Sequence, residues 1–300
     1  MKKYSGELAL FSVTLLAALG WFVSKYAIAE MPPAGFLAVR FGIAALLFLP
    51  FSHQQLRQLD SGSLWRATAV GLAFSANIFL WIQAITRSTH FGEGAFLMSL
   101  SVLLAPLLSW LLFGHRPLRV FYISLIVAIC GLAFLNTGRT WAQFSLSSFL
   151  YATSALTGAL FFVLNNQYAK NLPTLALATV QLASAGVICC IYSLFFETWS
   201  PHISHTAWIW TAISILLITN CRYFLQTWGQ KRCTVGNAAL IMILEPVWTL
   251  ILSIILLGEN LTWQKAIGGS LILLALMLYR LPLQRLNKRF RQPEKHKMPK

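Results

Sequence analysis

Charge is scarce in this sequence, and acid is scarcer. Eight Asp and Glu stand against 23 Lys and Arg, and charged residues fill only 10% of 300 positions. Hydrophobic residues make up 57%, and the mean hydropathy is +0.67. So small a polar complement cannot cover a soluble fold of this length, so most of the chain must be solvated by lipid. Long polar stretches between the apolar ones are missing too. That leaves no room for a separate soluble domain, and the one non-membrane extension is the tail at 282–300. Alternating strands of about ten residues are absent, which excludes a membrane barrel and obliges the backbone to satisfy itself inside helices.

Catalytic and metal-binding patterns are equally absent. No GxxxxGK[ST] stretch occurs, so the chain carries no ATP-hydrolysing loop, and neither HExxH nor GxSxG is present. The five cysteines (Cys130, Cys189, Cys190, Cys221, Cys233) form no paired CxxC and lack histidines at zinc spacing, so they read as small hydrophobes. His202 and His205 have a spacing that can share a metal, but no third ligand accompanies them. The expectation is a protein that is not an enzyme and uses no metal or cofactor.

What is present is a series of ten apolar windows, each near the roughly 20 residues that a helix needs to cross a bilayer core of about 30 Å. They run approximately from Gly6 to Ile28, Pro33 to Phe51, Leu64 to Thr86, Phe91 to Phe113, Leu118 to Asn136, Ser145 to Ala169, Pro173 to Phe195, Ala207 to Gly229, Val235 to Leu257 and Trp263 to Leu281. The first imitates a secretory signal but is long for one and lacks a convincing cleavage site, so it is kept as a helix. The net charge of +15 points to topology rather than to nucleic acid. With the N-terminus inside, only Lys25, Arg87, Arg139 and Lys265 face out, while every other cation beyond the spans, the tail included, faces the cytoplasm. The positive-inside rule then puts both termini in the cytoplasm.

The chain also repeats itself. FGEGAFLMSLSVLLAPLLSWLLFG (91–114) and VGNAALIMILEPVWTLILSIILLG (235–258) align without a gap, matching Gly92 with Gly236, Met98 with Met242, Ser109 with Ser253 and Gly114 with Gly258. Nearer the start of each half, Pro32 to Arg40 has the spacing of Pro173 to Gln181. Two five-helix repeats, at 6–137 and 145–281, follow. Five is odd, so the second enters the membrane in the opposite sense, the inverted-repeat plan of secondary transporters, whose sites lie at mid-depth between repeats.

The stretch KRCTVGNAALIMILEPVWTLILSIILLGENLTWQKAIGG, with its counterpart FGEGAFLMSLSVLLAPLLSWLLFGHRPL, resembles the paired EamA repeats of the drug/metabolite transporter superfamily. The resemblance covers residues 6–281. It implies an all-α, ten-helix inner-membrane carrier, often an exporter of amino acids, metabolites or drugs. Two departures stand out. His115 replaces the glutamate that the second half has at Glu259, and Ser101-Val102 stands opposite Glu245-Pro246.

Charges inside the spans are costly and usually face a partner or an aqueous cavity. Arg40 and Arg222 each lie within about 10 Å of a span end and can snorkel. Snorkelling is the expectation for Arg222. Arg40 has a polar repeat-mate, Gln181, and either snorkels or faces the interior. Glu245 sits too deep to escape. Pro246 removes an amide proton and frees the carbonyl of Met242, so Glu245 either repairs that defect when protonated or serves as a coupling and gating group in a cavity. Asn77, Trp81, Gln226 and Trp248 complete the expected substrate site with Arg40 and Gln181, Arg40 holding an anionic group such as an α-carboxylate.

The function expected is a secondary transporter of a small molecule working by alternating access in the bilayer, with export implied by the resemblance and proton coupling through Glu245. A passive channel and an intramembrane lipid-processing enzyme are the rivals. Substrate identity and oligomeric state do not follow from the sequence.

Overall fold

The structure, a computed structural model, describes residues 5–88, 91–114, 116–117, 119–135, 145–234, 238, 241–242, 244–258 and 262–280. The basic tail, His115, Glu259, Lys2, Lys3, Arg139 and Gly236 lie outside the described residues. Among the described residues the secondary structure is helical, with no strand. The helices are α1 (Ser5–Ala27), α2 (Pro33–Arg57), α3 (Ser61–Thr86), α4 (Phe91–Phe113), α5 (Arg119–Leu135), α6 (Leu146–Tyr168), α7 (Thr174–Phe196), α8 (His205–Ile213), α9 (Arg222–Arg232), α10 (Leu244–Leu257) and α11 (Trp263–Arg280). A π-helical segment, Ser214–Cys221, joins α8 to α9.

Local chemistry explains the ends. Asp60 caps α3 by accepting from the amides of Gly62 and Ser63, and the Ser145 and Ser204 hydroxyls cap α6 and α8 in the same way. Pro33 supplies the preset φ of a first helical residue in α2. Its cap, Pro32, has no side-chain oxygen to offer, so the amides of Ala34 and Gly35 donate instead to the Glu197 carboxylate, at 2.9 and 2.8 Å. The start of the second helix is thus finished by a residue 163 positions away. α2 runs past the expected end at Phe51 to Arg57, because Pro50 is carried inside the helix and Ser52 bonds back to the Leu49 carbonyl.

Among the described residues six helices are long and apolar enough to cross a membrane, the α8–α9 rod His205–Arg232 counting as one, and four more apolar stretches are shorter. The outside of the bundle is its greasy face: Phe51, Leu111, Leu194, Phe195, Phe196 and Ile255 are each at least 70% exposed. The interior holds fully buried polar residues, including Arg40, Asn165, Asn166, Gln181 and Gln230. This inversion of the water-soluble pattern is what a lipid solvent selects.

The packing is two-fold in pattern. α2 packs on α7, α5 on α11 and α4 on α10. α3 packs on α6 while the α8–α9 rod packs on α1, and α4 packs on α6 while α10 packs on α1. Exchanging each helix of one half with its counterpart in the other maps these contacts onto themselves. The α2–α7 crossing is close enough that a Cβ at Gly186 would sit 2.8 Å from the Gly42 amide nitrogen.

Candidate transport cavity

Two adjoining cavities of about 110 and 50 Å³ lie where the halves meet, and they share Asn77, Met98, Arg222, Tyr223 and Glu245 in their walls. The walls come from near the middles of α3, α4 and α6, at Asn77, Ser101 and Gly158, which puts the space at mid-depth. Phe74, Phe161 and Phe162 face the larger chamber, Trp21 and Trp81 the smaller.

The π-helical segment aims one wall. Its wider turn lets the Thr219 hydroxyl donate to the Ser214 carbonyl at 2.7 Å, five residues back, and accept from Arg40 Nε at 2.6 Å. Arg40 Nη1 donates to Ser24 Oγ at 3.0 Å, and its guanidinium lies over the Phe41 ring at 5.2 Å. Arg40 is 1% exposed, and it borders the smaller chamber. It therefore faces the interior and does not snorkel.

Arg222, expected to snorkel, does not. The start of α9 turns its guanidinium inward, where Nη2 stands 3.8 Å from Glu245 Oε2 and both chambers border it. Glu245 Oε1 accepts from Trp21 Nε1 at 3.2 Å. Trp21 in turn meets Trp81 edge-on at 5.3 Å and stacks on Tyr151 at 5.9 Å. Glu245 and Pro246 stand in the first described turn of α10, and Pro246 is buried against the larger chamber. Pro246 is expected to bend the helix just before it, but residue 243 lies outside the described residues, and the bend with it.

Of the expected site residues, the structure brings Arg40, Asn77, Trp81, Gln226, Glu245 and Pro246 to the two chambers. Asn77 is held by Ser154 in both directions: its side-chain amide donates to the Ser154 backbone carbonyl at 2.8 Å, and the Ser154 hydroxyl donates to the Asn77 backbone carbonyl at 2.8 Å. Gly158 makes room for it, since a Cβ there would stand 2.7 Å from Asn77 Nδ2. Gln226 Oε1 is buried with no hydrogen-bond partner among the described residues.

Gln181 and Trp248 line neither chamber. Gln181 donates to Asn165 Oδ1 at 2.5 Å, Asn165 donates to Gln230 Oε1, and Asn166 donates to the carbonyls of Gln230 and Cys233 at 3.1 and 3.3 Å. This amide chain ties α6, α7 and α9 together. Trp248 packs edge-on against Phe11 at 6.2 Å, on the seam between α1 and α10. Tyr223 and Met98 border both chambers without having been expected there. An aromatic next to a buried arginine was the available signal for Tyr223, whereas Met98 is one apolar residue among many.

The EamA-like transporter family matches twice, over residues 4–137 and 145–281. The chain belongs to the EamA-like transporter family. It is thus a multi-pass membrane protein of a transporter family, within the drug/metabolite transporter superfamily. An uncharacterised transporter of Archaeoglobus fulgidus is 27% identical over 94% of this chain and 87% of its own length. The uncharacterised transporter YvbV of Bacillus subtilis is 24% identical, over 93% and 92%. A solved crystal structure has the same fold, with a TM-score of 0.73 at 19% identity over 95% of this chain and 99% of the other.

Proposed function

We propose that this EamA-like protein is a secondary carrier that exports a small molecule by alternating access, with its two halves, 6–137 and 145–281, rocking as inverted five-helix repeats around the paired chambers. In this reading the four shorter apolar stretches complete ten crossings, both termini are cytoplasmic, and the membrane is the inner one. Arg40, Asn77, Trp81 and Gln226 contact the substrate, and Glu245 with Pro246 couples its movement to a proton. Gln181 and Trp248, away from the chambers, hold helices together.

One observation carries this reading: the chambers sit at mid-depth, and both halves contribute to their walls, Arg40 and Asn77 from the first and Arg222 and Glu245 from the second. A channel needs a continuous polar path, whereas these chambers are small and partly aromatic. A lipid-processing enzyme needs a nucleophile with an activating base, and the polar groups described at the chambers do not supply that pair. Proteoliposomes loaded with unlabelled candidates from a panel of amino acids, organic acids, dyes and sugars, then given the labelled compound outside, test it. A carrier shows saturation and transient counterflow. Flux that rises linearly with concentration and shows no counterflow contradicts it.

A further inference from the structure

Arg40 and Arg222 border the same small chamber, yet they are satisfied very differently. Arg40 has short bonds to two hydroxyls, at 2.6 and 3.0 Å. Among the described residues Arg222 Nε is buried without a hydrogen-bond partner, Nη1 is 3.5 Å from the Tyr223 hydroxyl, and Nη2 is 3.8 Å from Glu245 Oε2. A guanidinium offers five donors in a planar fork that fits a carboxylate through two parallel bonds. Glu245 meets this fork with one oxygen at long range, because its other oxygen accepts from Trp21.

We infer that Arg222 is the receptor for the carboxylate of a small monoanionic substrate, that Glu245 is the stand-in carboxylate holding Arg222 in the empty protein, and that the substrate and one proton are carried together. The inference rests on the carrier reading above and names its substrate class and its coupling.

Charge balance supplies the argument. Arg40 and Arg222 against Glu245 leave the chamber one positive charge. A substrate carboxylate that pairs with Arg222 puts a second carboxylate beside Glu245, and two such groups at close range cannot both stay ionised. Glu245, having lost its counterion, takes a proton from the aqueous phase to which the chamber is open. The chamber again carries one positive charge, so loaded and empty forms differ by one neutral acid, and the cycle moves no net charge. The neighbours of Glu245 allow this. Arg222 and Tyr223 face it from α9, Trp21 from α1, Met98 from α4, and Arg40 and Asn77 from across the chamber. The charged residues of α1, Glu7 and Lys25, lie in its first and last turns. Direction then follows the sum of the substrate and proton gradients. Export is an overflow route that runs when internal substrate is high enough to outweigh inward proton drive.

Calorimetric titration of the purified protein with benzoate, lactate and indole-3-acetate, in two buffers of different ionisation enthalpy, counts the protons taken up on binding. The expected result at neutral pH is one proton per carboxylate bound, with the apparent Kd weakening about tenfold per pH unit as a one-proton linkage requires. Glu245→Gln, which no longer competes for Arg222, binds at least as tightly, takes up no proton and loses the pH dependence. Arg222→Gln loses the binding. Carboxylate binding without proton uptake overturns the inference, as does weaker binding in Glu245→Gln or the absence of Arg222-dependent binding by any of the three acids. Methyl phosphate binding in their place overturns the substrate class. The wild-type proton count stands without any variant. These failures leave counterflow untouched, whereas absent counterflow beside proton-linked binding sinks the carrier reading alone.

Discussion

Arg40 reaches Ser24 across 3.0 Å, and the same contact recurs 141 residues later, where Gln181 reaches Asn165 across 2.5 Å. Each pair joins the first helix of a half to the second, with 16 positions between partners. One duplicated contact has become a buried cation in the first half and an amide chain in the second. Arg40 is the costly version, because a buried guanidinium gives up hydration and here meets, among the described residues, two hydroxyls and no carboxylate.

That asymmetry separates stability from transport. Arg40→Met has similar volume and removes the buried charge, so its melting temperature in detergent is expected to equal or exceed that of the wild type. Its flux is expected to fall at least tenfold. Arg40→Lys keeps the charge but not the fork that reaches Ser24 and Thr219, and it is expected to lose about 1–3 kcal/mol of stability as well as flux. Normal flux in Arg40→Met assigns the residue to structure alone.

The Trp21 indole offers a second test, because Trp21→Phe keeps an aromatic ring against Trp81 and Tyr151 while deleting the donor to Glu245. A hydrogen bond to a charged group contributes about 1.5–3 kcal/mol to stability, so the melting temperature is expected to fall along with flux, which drops about tenfold. Full flux in Trp21→Phe beside a loss in Trp21→Ala would show that ring packing, rather than the donor, is what matters.

Glycines at the α2–α7 crossing are predicted to behave unequally. A Cβ on Gly186 meets the Gly42 backbone at 2.8 Å, whereas a Cβ on Gly42 finds nothing within 4 Å. Gly186→Ala is expected to cost about 1–3 kcal/mol through overpacking, and Gly42→Ala to be neutral or slightly stabilising. Thermal melts of the two variants check it, and similar melting temperatures contradict the crossing.

Outside the bilayer, Glu30 joins the halves by accepting from the Ser204 amide at 2.7 Å and its hydroxyl at 2.8 Å. The amide first, then the hydroxyl, hold the Glu30 carboxyl below its ordinary 4.5. A carboxyl depressed on folding stabilises the protein above its unfolded value and stops doing so as pH falls through the folded one. Glu30→Gln is therefore expected to melt lower than the wild type at pH 7, with the gap closing below about pH 4.5. A gap that persists in strong acid contradicts the ionic contact.

The all-helical, apolar fold, the duplication and the family were legible because each rests on patterns spread over many residues, such as apolar windows and the paired Gly92 and Gly236. The cavity was legible only in part. Arg40, Asn77 and Glu245 announced themselves as polar groups where lipid makes polarity expensive. Gln181 announced itself equally well and turned out to serve an amide chain, since cost marks an inward face but not what that face meets. Arg222 was misread because distance from a span end cannot tell which way a helix is rotated. The π-helical segment that seats Thr219 under Arg40 has no marker in SILLITNC that ordinary helix rules would flag.

If the two halves alternate around one cavity, Met98, which borders both chambers, is reached from each side of the membrane in turn. In a background with the five native cysteines replaced, Met98→Cys is labelled with a membrane-impermeant maleimide in right-side-out and in inverted vesicles. Labelling is expected from each side, with substrate or a pH step raising one rate while lowering the other. Labelling from one side only, under every condition, contradicts alternating access.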